Sequence, residues 1–192
     1  MNYANWRSRF QNSAYVTNGI LAVTILVFIL ETLSGGSTNT EVLIAYGARA
    51  NPLILYGQWW RLITPVFVHI GLTHILMNGF SLYFLGEMTE RLFGHWRFFL
   101  LYFISGFAGN VASFAFSPNT LAAGASTAIF GLLGACLMLG DTYRDNPVIR
   151  QLSRQFLLLV VLNLAFNLFS SGVDIYGHIG GVLGGFLEAG RL

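Results

Sequence analysis

The sequence predicts an all-α polytopic membrane protein, and three observations support this fold class. The 192 residues are 55% hydrophobic and only 9% charged, whereas about a quarter of the residues in a soluble domain are charged. The mean hydropathy is +0.63. Long stretches contain no Asp, Glu, Lys or Arg, and the longest of them covers 98–140. Uncharged apolar runs of this length are typical of transmembrane helices.

Composition also excludes several classes of protein. The single cysteine, Cys136, rules out an internal disulfide and a cysteine-based zinc site. The net charge of +2 is too small to indicate a nucleic-acid partner. The length suits one helical domain.

Six membrane spans are predicted in one domain, 16–192, which follows a short interfacial segment, 1–15. The spans lie at about 16–33, 64–86, 98–116, 121–140, 155–173 and 175–187. The first is expected to be retained, because no small-residue cleavage site follows it. Ser117-Pro118-Asn119 divides the uncharged run 98–140 into two spans. The sixth span is short and glycine-rich, which favours a helix packed among others.

The first loop, 34–64, is long and apolar enough to lie in the membrane surface. Trp59-Trp60-Arg61 is typical of an interfacial anchor. The distribution of arginine predicts that both termini are cytoplasmic, since only Arg49 and Arg61 fall in outer segments. The inner segments hold Arg7, Arg9, Arg91, Arg97, Arg144, Arg150, Arg154 and Arg191.

This orientation places four polar side chains at a similar depth below the outer surface. Spans two, four and six all run from outside to inside, and each carries its polar residues in its first half. These residues are His74 and Asn78, Ser126, and His178. Polar groups inside a membrane are rare and favour a functional interpretation.

The four residues together can perform acyl transfer. The Ser126 hydroxyl is a weak nucleophile that needs an adjacent base, and the neutral imidazole of His178 is suited to that task. His74 and Asn78 are four residues apart, so they share a helical face and could donate to an oxyanion. Backbone N–H groups at the start of span four would add to these donors.

Structural interpretations of the same residues remain open. Ser126 could serve only close helix packing, and His74 with Asn78 could join two helices by hydrogen bonds. His69 could lie at the membrane surface, and His95 is expected to be solvated in an inner loop. Asp174 could orient His178, although an N-cap of span six is the favoured role.

Glycine spacing predicts that the serine and histidine helices touch. Gly177, Gly181 and Gly185 repeat every four residues, and Gly131 and Gly134 share a face with Thr127. Such small-residue faces let helix backbones approach closely, as a hydrogen bond of about 2.6–3.2 Å between nucleophile and base requires.

The order and spacing of these motifs resemble the rhomboid intramembrane serine proteases. The motifs are Trp60-Arg61, His69…His74…Asn78, Glu90-Arg91, Gly124-x-Ser126-x and Asp174…His178-x-x-Gly181. The resemblance covers nearly the whole chain after the first span. It implies a Ser126–His178 dyad without a catalytic aspartate. It also implies an oxyanion site of His74, Asn78 and the Ser126 amide, Phe130 packed beside His178, and a first loop lying sideways in the membrane.

One residue departs from the family pattern, which often has glycine directly after the serine. This chain has Thr127. We expect the Thr127 hydroxyl to donate back to the carbonyl of Ala123 or Gly124. We also expect the glycines of span six to make room for its methyl group. These glycines are Gly180, Gly181 and Gly184.

The sequence therefore predicts an intramembrane serine endopeptidase that cleaves single-span membrane proteins near the outer membrane face. The outer ends of spans two, four and six would line a wet cavity. No metal or organic cofactor is predicted, and the partners are transmembrane substrates and the lipid bilayer, in a bacterial cytoplasmic membrane. The alternatives are an inactive relative that binds membrane clients and a small transporter; no internal repeat supports the latter.

Overall fold

The protein is seen in a computed structural model that describes residues 13–169 and 173–192, except for the side chains of 168 and 169. Within these ranges the chain forms helices joined by turns, and its only bridge between extended segments pairs Arg49 with Ala122. The all-helical prediction is confirmed for this part of the chain. The predicted interfacial segment 1–15 lies almost entirely outside it.

Nine α-helices follow one another in the described residues. They are α1 (Tyr15–Leu33), α2 (Thr40–Ala45), α3 (Asn51–Leu55), α4 (Gly71–Ser81), α5 (Glu87–Phe93), α6 (His95–Phe116), α7 (Ser126–Thr142), α8 (Pro147–Phe169) and α9 (Ile175–Ala189). Two short 3₁₀ turns, Trp59–Leu62 and Thr64–Phe67, precede α4. A π-helical turn, Leu82–Gly86, joins α4 to α5 without a break.

Three of the described helices are long and apolar enough to cross a membrane by themselves. Their apolar segments are Tyr15–Leu33, His95–Phe116 and Pro147–Asn167, and Ser126–Thr142 is a shorter apolar helix. These helices agree with a polytopic membrane protein. The count of six spans and the cytoplasmic termini remain predictions.

The second span was predicted at 64–86, but its helix begins later and ends later. Pro65 lies in a 3₁₀ turn, Val68 is extended, and Gly71 begins α4 with a positive φ of 77°. The helix then continues to Phe93 through the charged residues of α5. The first charged residues after the uncharged run therefore do not mark the end of this helix.

The starts of the fourth and fifth spans also differ from the prediction. The helix of the fourth span begins at Ser126 and not near 121, because Ala122 is held in the bridge to Arg49 and Gly124 has a φ of 123°. The fifth begins at Pro147 and not near 155. Asn146 accepts hydrogen bonds from the N–H groups of Val148 and Ile149 at 3.0 and 3.3 Å, and proline is well suited to the first helical position.

Helices α6, α7 and α9 form the tightest part of the fold. A Cβ on Gly185 would lie 1.9 Å from the carbonyl oxygen of Gly131, and one on Gly134 would lie 2.1 Å from that of Val182. The predicted close approach of the serine and histidine helices is therefore confirmed. Gly180 and Gly184 face Ala112 and Ala108 of α6, so the expectation that they make room for Thr127 is wrong, whereas Gly181 does face Thr127.

The first loop is tied to the protein by its two arginines. Arg61 is buried and donates to the carbonyls of Ile44 and Ala48 at 2.7 and 2.9 Å. Its predicted role as an anchor in the membrane surface is therefore wrong, although Trp59 and Trp60 are exposed. Arg49 is fully buried, and burial lowers the pKa of its guanidinium while the charge of Asp174 opposes this shift.

A buried carboxylate, Glu90 of α5, joins the start of α1 to the start of α6. Glu90 accepts hydrogen bonds from the backbone N–H groups of Val16 and Thr17, at 3.1 and 2.7 Å, and from the Thr17 hydroxyl at 2.6 Å. His95 pairs with the same carboxylate and stacks on Tyr15. The expectation that His95 is simply solvated is therefore wrong. These bonds satisfy N–H groups in the first turn of α1 that lack helical partners.

Candidate active site

Ser126 is the first residue of α7, at the end of a tight loop. Gly124 has a φ of 123°, and its N–H donates to the carbonyl of Pro65 at 2.9 Å. A Cβ on Gly124 would lie 2.8 Å from Nε2 of His74. Both the backbone angle and the close imidazole require glycine here, and the loop presents Ser126 where backbone N–H groups have no helical acceptors.

His178 lies in the first turn of α9, against Ser126. Its Nε2 atom is 2.9 Å from the Ser126 Oγ atom. Phe130 stacks on the imidazole with ring centroids 4.2 Å apart and 14° between the planes. The ring is buried, since only 6% of the residue is exposed. The structure thus brings together two groups that are 52 residues apart in the chain.

His74 is positioned as a hydrogen-bond donor toward the same loop. Its Nδ1 atom accepts from the N–H of Ile70 at 3.3 Å. A neutral imidazole carries one hydrogen, so this bond leaves it on Nε2, the atom that lies over Gly124. Nε2–H therefore faces the region beside Ser126.

Asn78 lies one turn further along α4 and is buried. Its amide nitrogen donates to the carbonyl of His74 at 2.9 Å, which leaves one amide hydrogen uncommitted. In the described part of the chain no hydrogen bond joins Asn78 to Ser126. Of the four predicted residues, Ser126 and His74 therefore lie beside Gly124, His178 contacts Ser126, and Asn78 bonds to its own helix.

Sequence reasoning missed the role of His69. His69 is fully buried, so the expectation that it lies at the membrane surface is wrong. Its Nε2 atom accepts from the N–H of Ala125 at 3.3 Å, and Nδ1 is 3.2 Å from the carbonyl of Phe67. His69 thus holds the residue before Ser126. No periodicity pointed to it, because it precedes α4 and acts through the loop.

Asp174 is confirmed as the N-cap of α9. One carboxylate oxygen accepts from the N–H of Gly177 at 3.0 Å, and the other accepts from the Ser113 hydroxyl. Within 13–169 and 173–192, no three His, Cys, Asp or Glu side chains lie close enough together to hold a metal ion.

Asn167 of α8 is a second residue that the sequence reasoning missed. Its side-chain amide lies 2.6 Å from Nδ1 of His178. An asparagine within a long apolar helix is itself a signal, because intramembrane polar groups are rare. The sequence alone does not show which asparagine contacts His178, since Asn163 and Asn167 are both in α8.

Thr127 is buried against α6 and α9. A Cβ on Gly109 would lie 2.8 Å from Cβ of Thr127, and one on Gly181 would lie 2.1 Å from its carbonyl oxygen. The Thr127 hydroxyl has no hydrogen-bond partner in the described residues. The expected bond to Ala123 or Gly124 is therefore wrong; both residues lie in the loop before α7, which begins at Ser126, and not in the helix.

Known proteins resemble this chain over most of its length. Residues 56–190 match the model of the Rhomboid domain. The chain is 45% identical over 172 residues to the rhomboid protease GluP of Bacillus subtilis, covering 90% of this chain and 34% of that protein. It is 43% identical over 151 residues to Rhomboid-like protease 1 of Toxoplasma gondii, covering 76% of this chain and 51% of that protein.

A third relative extends the match to plants. RHOMBOID-like protein 4 of Arabidopsis thaliana is 41% identical over 133 residues, which cover 68% of this chain and 33% of that protein. The chain thus spans about a third to a half of the length of these relatives. A family model that covers most of the chain and relatives of this similarity lead to one conclusion: the chain is an integral membrane protein of the rhomboid family, whose members include intramembrane serine proteases.

Proposed function

We propose that this chain is an intramembrane serine endopeptidase that cleaves the transmembrane segments of single-span membrane proteins near the outer membrane face. The observation that carries the proposal is the 2.9 Å contact between the Ser126 Oγ and His178 Nε2 atoms. A half-buried serine beside an imidazole is an arrangement that can activate a hydroxyl for acyl transfer.

The reaction would proceed through an acyl-enzyme. The Ser126 Oγ atom attacks the scissile carbonyl carbon while His178 Nε2 accepts the hydroxyl proton. The tetrahedral intermediate collapses with cleavage of the C–N bond, and His178 returns the proton to the leaving amine. Water, deprotonated by His178, then attacks the ester, which releases the new carboxyl end and restores Ser126.

The developing oxyanion needs donors that are already in place. The proposed donors are the backbone N–H of Ser126, Nε2–H of His74, and the uncommitted amide hydrogen of Asn78. The bond between Ile70 and His74 supports this role, because it keeps the hydrogen of His74 on Nε2. The bond that Asn78 makes to its own helix would fix the direction of its amide.

The remaining features of the proposal concern placement. The domain is 16–192, with six spans and both termini in the cytoplasm of a bacterial cell, so that the outer ends of α4, α7 and α9 face the same side. The partners are transmembrane substrates in the surrounding bilayer. The competing proposal is an inactive relative that binds membrane clients, and the buried hydroxyl of Thr127 beside the site is the observation that favours it.

The test is covalent labelling of the full chain in liposomes with a fluorophosphonate, together with cleavage of a co-reconstituted transmembrane peptide. We expect labelling at Ser126 and loss of both labelling and cleavage in Ser126→Ala and His178→Ala. Ser81→Ala is the matched control, since Ser81 ends α4 away from His178, and it should behave as the parent does. A parent chain that is neither labelled nor active would favour the client-binding relative, and cleavage by Ser126→Ala would overturn the mechanism.

A further inference from the structure

The imidazole of His178 is contacted from two sides by two different helices. Its Nε2 atom faces Ser126 of α7 at 2.9 Å, and its Nδ1 atom faces the side-chain amide of Asn167 of α8 at 2.6 Å. The second contact is as short as the hydrogen bonds of catalytic groups. His178 is thus part of a chain of three side chains.

The tautomer of His178 decides whether it can act as a base. To accept the Ser126 proton, Nε2 must carry a lone pair, and the single ring hydrogen of the neutral imidazole must then be on Nδ1. An Nδ1–H group in turn requires an acceptor. The amide oxygen of Asn167 can be that acceptor, whereas its NH₂ group can only donate.

The orientation of the Asn167 amide therefore selects the state of the base. The structure places the amide nitrogen toward Nδ1, which leaves the ring hydrogen on Nε2 and directs it at Ser126. A half-turn of the amide about its Cβ–Cγ bond puts the oxygen there instead. The same contact then holds the hydrogen on Nδ1 and frees Nε2.

A neighbouring asparagine shows what this side chain does elsewhere on the same helix. Asn163 lies one turn earlier, is exposed, and donates to the carbonyl of Leu159 at 2.8 Å. That bond stays within α8. The Asn167 amide instead reaches across to α9, to the one ring nitrogen that Ser126 does not use.

We propose that Asn167 is a positioning residue that selects the productive tautomer of His178, so that the working site is a Ser126–His178–Asn167 triad. The proposal rests on the proposed function. A neutral amide orients the imidazole without adding a charge to the membrane interior, where charges are costly. The chain thus has an orienting group, although the family resemblance implied a dyad.

The test compares Asn167→Leu, Asn167→Asp and the control Asn163→Leu in the full chain in liposomes. The readouts are the pH dependence of the rate of fluorophosphonate labelling at Ser126, and kcat and KM for a reconstituted transmembrane peptide. We expect Asn167→Leu to lower kcat by about 10- to 100-fold with little change in KM, because a wrong tautomer removes the base but not substrate binding. Asn163→Leu should match the parent.

The pH profile separates orientation from packing. Asn167→Asp supplies only acceptor oxygens, so it should keep most of kcat and move the acidic limb to higher pH, because a carboxylate stabilises the imidazolium. Asn167→Leu removes an acceptor from that cation and should move the limb to lower pH. The other titratable groups that act on His178 are Asp174 at the N-cap of α9 and His74 on α4. These groups are the same in all variants.

Each outcome decides the proposal. An Asn167→Leu chain with the parent's kcat and pH profile would overturn it and leave the Ser126–His178 mechanism standing. Equal losses in all three variants with an unshifted profile would assign Asn167 to helix packing and would also overturn it. If the leucine variant does not fold, the direction of the shift in Asn167→Asp decides. A parent chain that is not labelled at Ser126 would instead be a failure of the proposed function.

Discussion

Helix α7 has two neighbours that pack against it in different ways. Against α9 the backbones touch through glycine, and a Cβ on Gly181 or Gly185 would lie 2.1 or 1.9 Å from a carbonyl oxygen of α7. Against α8 the contacts are with side chains: Gly140 of α7 faces the side chain of Ser153, and Phe156 and Val160 pack in one cluster with Phe130. Only 11% of the apolar segment of α8 is buried.

The two interfaces therefore differ in how much relative movement of the helices they allow. Backbone contacts have no rotamers, so the α7–α9 interface fixes the distance from Ser126 to His178. Side chains can change rotamer and fill space in more than one way, so α8 can shift slightly without loss of the fold. The nucleophile and base thus lie on the rigid interface, while Asn167 is supplied by the adjustable helix.

The largest effect is expected at the rigid interface, from Gly185→Ala. The added methyl meets the Gly131 carbonyl and pushes α9 away from α7. We expect a loss of about 3 kcal/mol in the free energy of unfolding, near the upper end for overpacking. A displacement of about 1 Å can cost roughly 100-fold in rate, so the cleavage rate should fall by about that factor. Thermal unfolding in detergent measures the change in stability, and the cleavage assay measures the change in rate.

Gly19→Ala in α1 is the matched control. A Cβ at this position would meet nothing within 4 Å, and alanine is the better helix former by about 1 kcal/mol. This variant should be at least as stable as the parent and equally active. If Gly185→Ala behaves in the same way, the α7–α9 interface is not rigid in the sense proposed.

A smaller effect is expected at the adjustable interface, from Val160→Ala. Val160 is 5% exposed, and each buried methyl group contributes about 0.8 kcal/mol, so we expect a loss of about 1–2 kcal/mol in stability. The cleavage rate should stay near that of the parent. Val161 is on the same helix but 53% exposed, so Val161→Ala should change neither the stability nor the cleavage rate. A collapse of activity in Val160→Ala alone would show that α8 is as constrained as α9.

The same distinction explains what could be predicted from the sequence. Glycine spacing on α9 predicts that this helix touches α7, and the structure has this contact and brings Ser126 and His178 together. The Asp174 cap follows from residue type and position. These features depend on short-range rules that a single sequence carries.

Features that depend on loop paths could not be predicted in this way. His69 reaches Ala125 only because the 3₁₀ turns before α4 bring that segment beside the start of α7. Arg61 is spaced as an interfacial anchor would be, but its carbonyl partners are in α2 and the turn that follows it. The helix starts at Gly71 and Ser126 were misplaced for the same reason, since positive φ at Gly71 and Gly124 is a property of the folded loops.

The smallest effect is expected from Thr127→Val, which keeps the shape of the side chain and removes its hydroxyl. A buried hydroxyl without a partner costs about 1–3 kcal/mol, and Thr127 Oγ1 has none within the described chain. Stability should therefore be unchanged or higher, and cleavage should continue, because no group of the site bonds to this oxygen. Thr17→Val makes the same chemical change where the hydroxyl donates to Glu90 at 2.6 Å.

Thr17→Val should lower stability by about 1.5–3 kcal/mol, since it removes a hydrogen bond to a charged group. The two variants have opposite expected signs, so a melting temperature for each, in one detergent at one pH, is enough to decide. Loss of stability in Thr127→Val would mean that its hydroxyl is bonded after all. Loss of cleavage with unchanged stability would mean that the threonine takes part in the site.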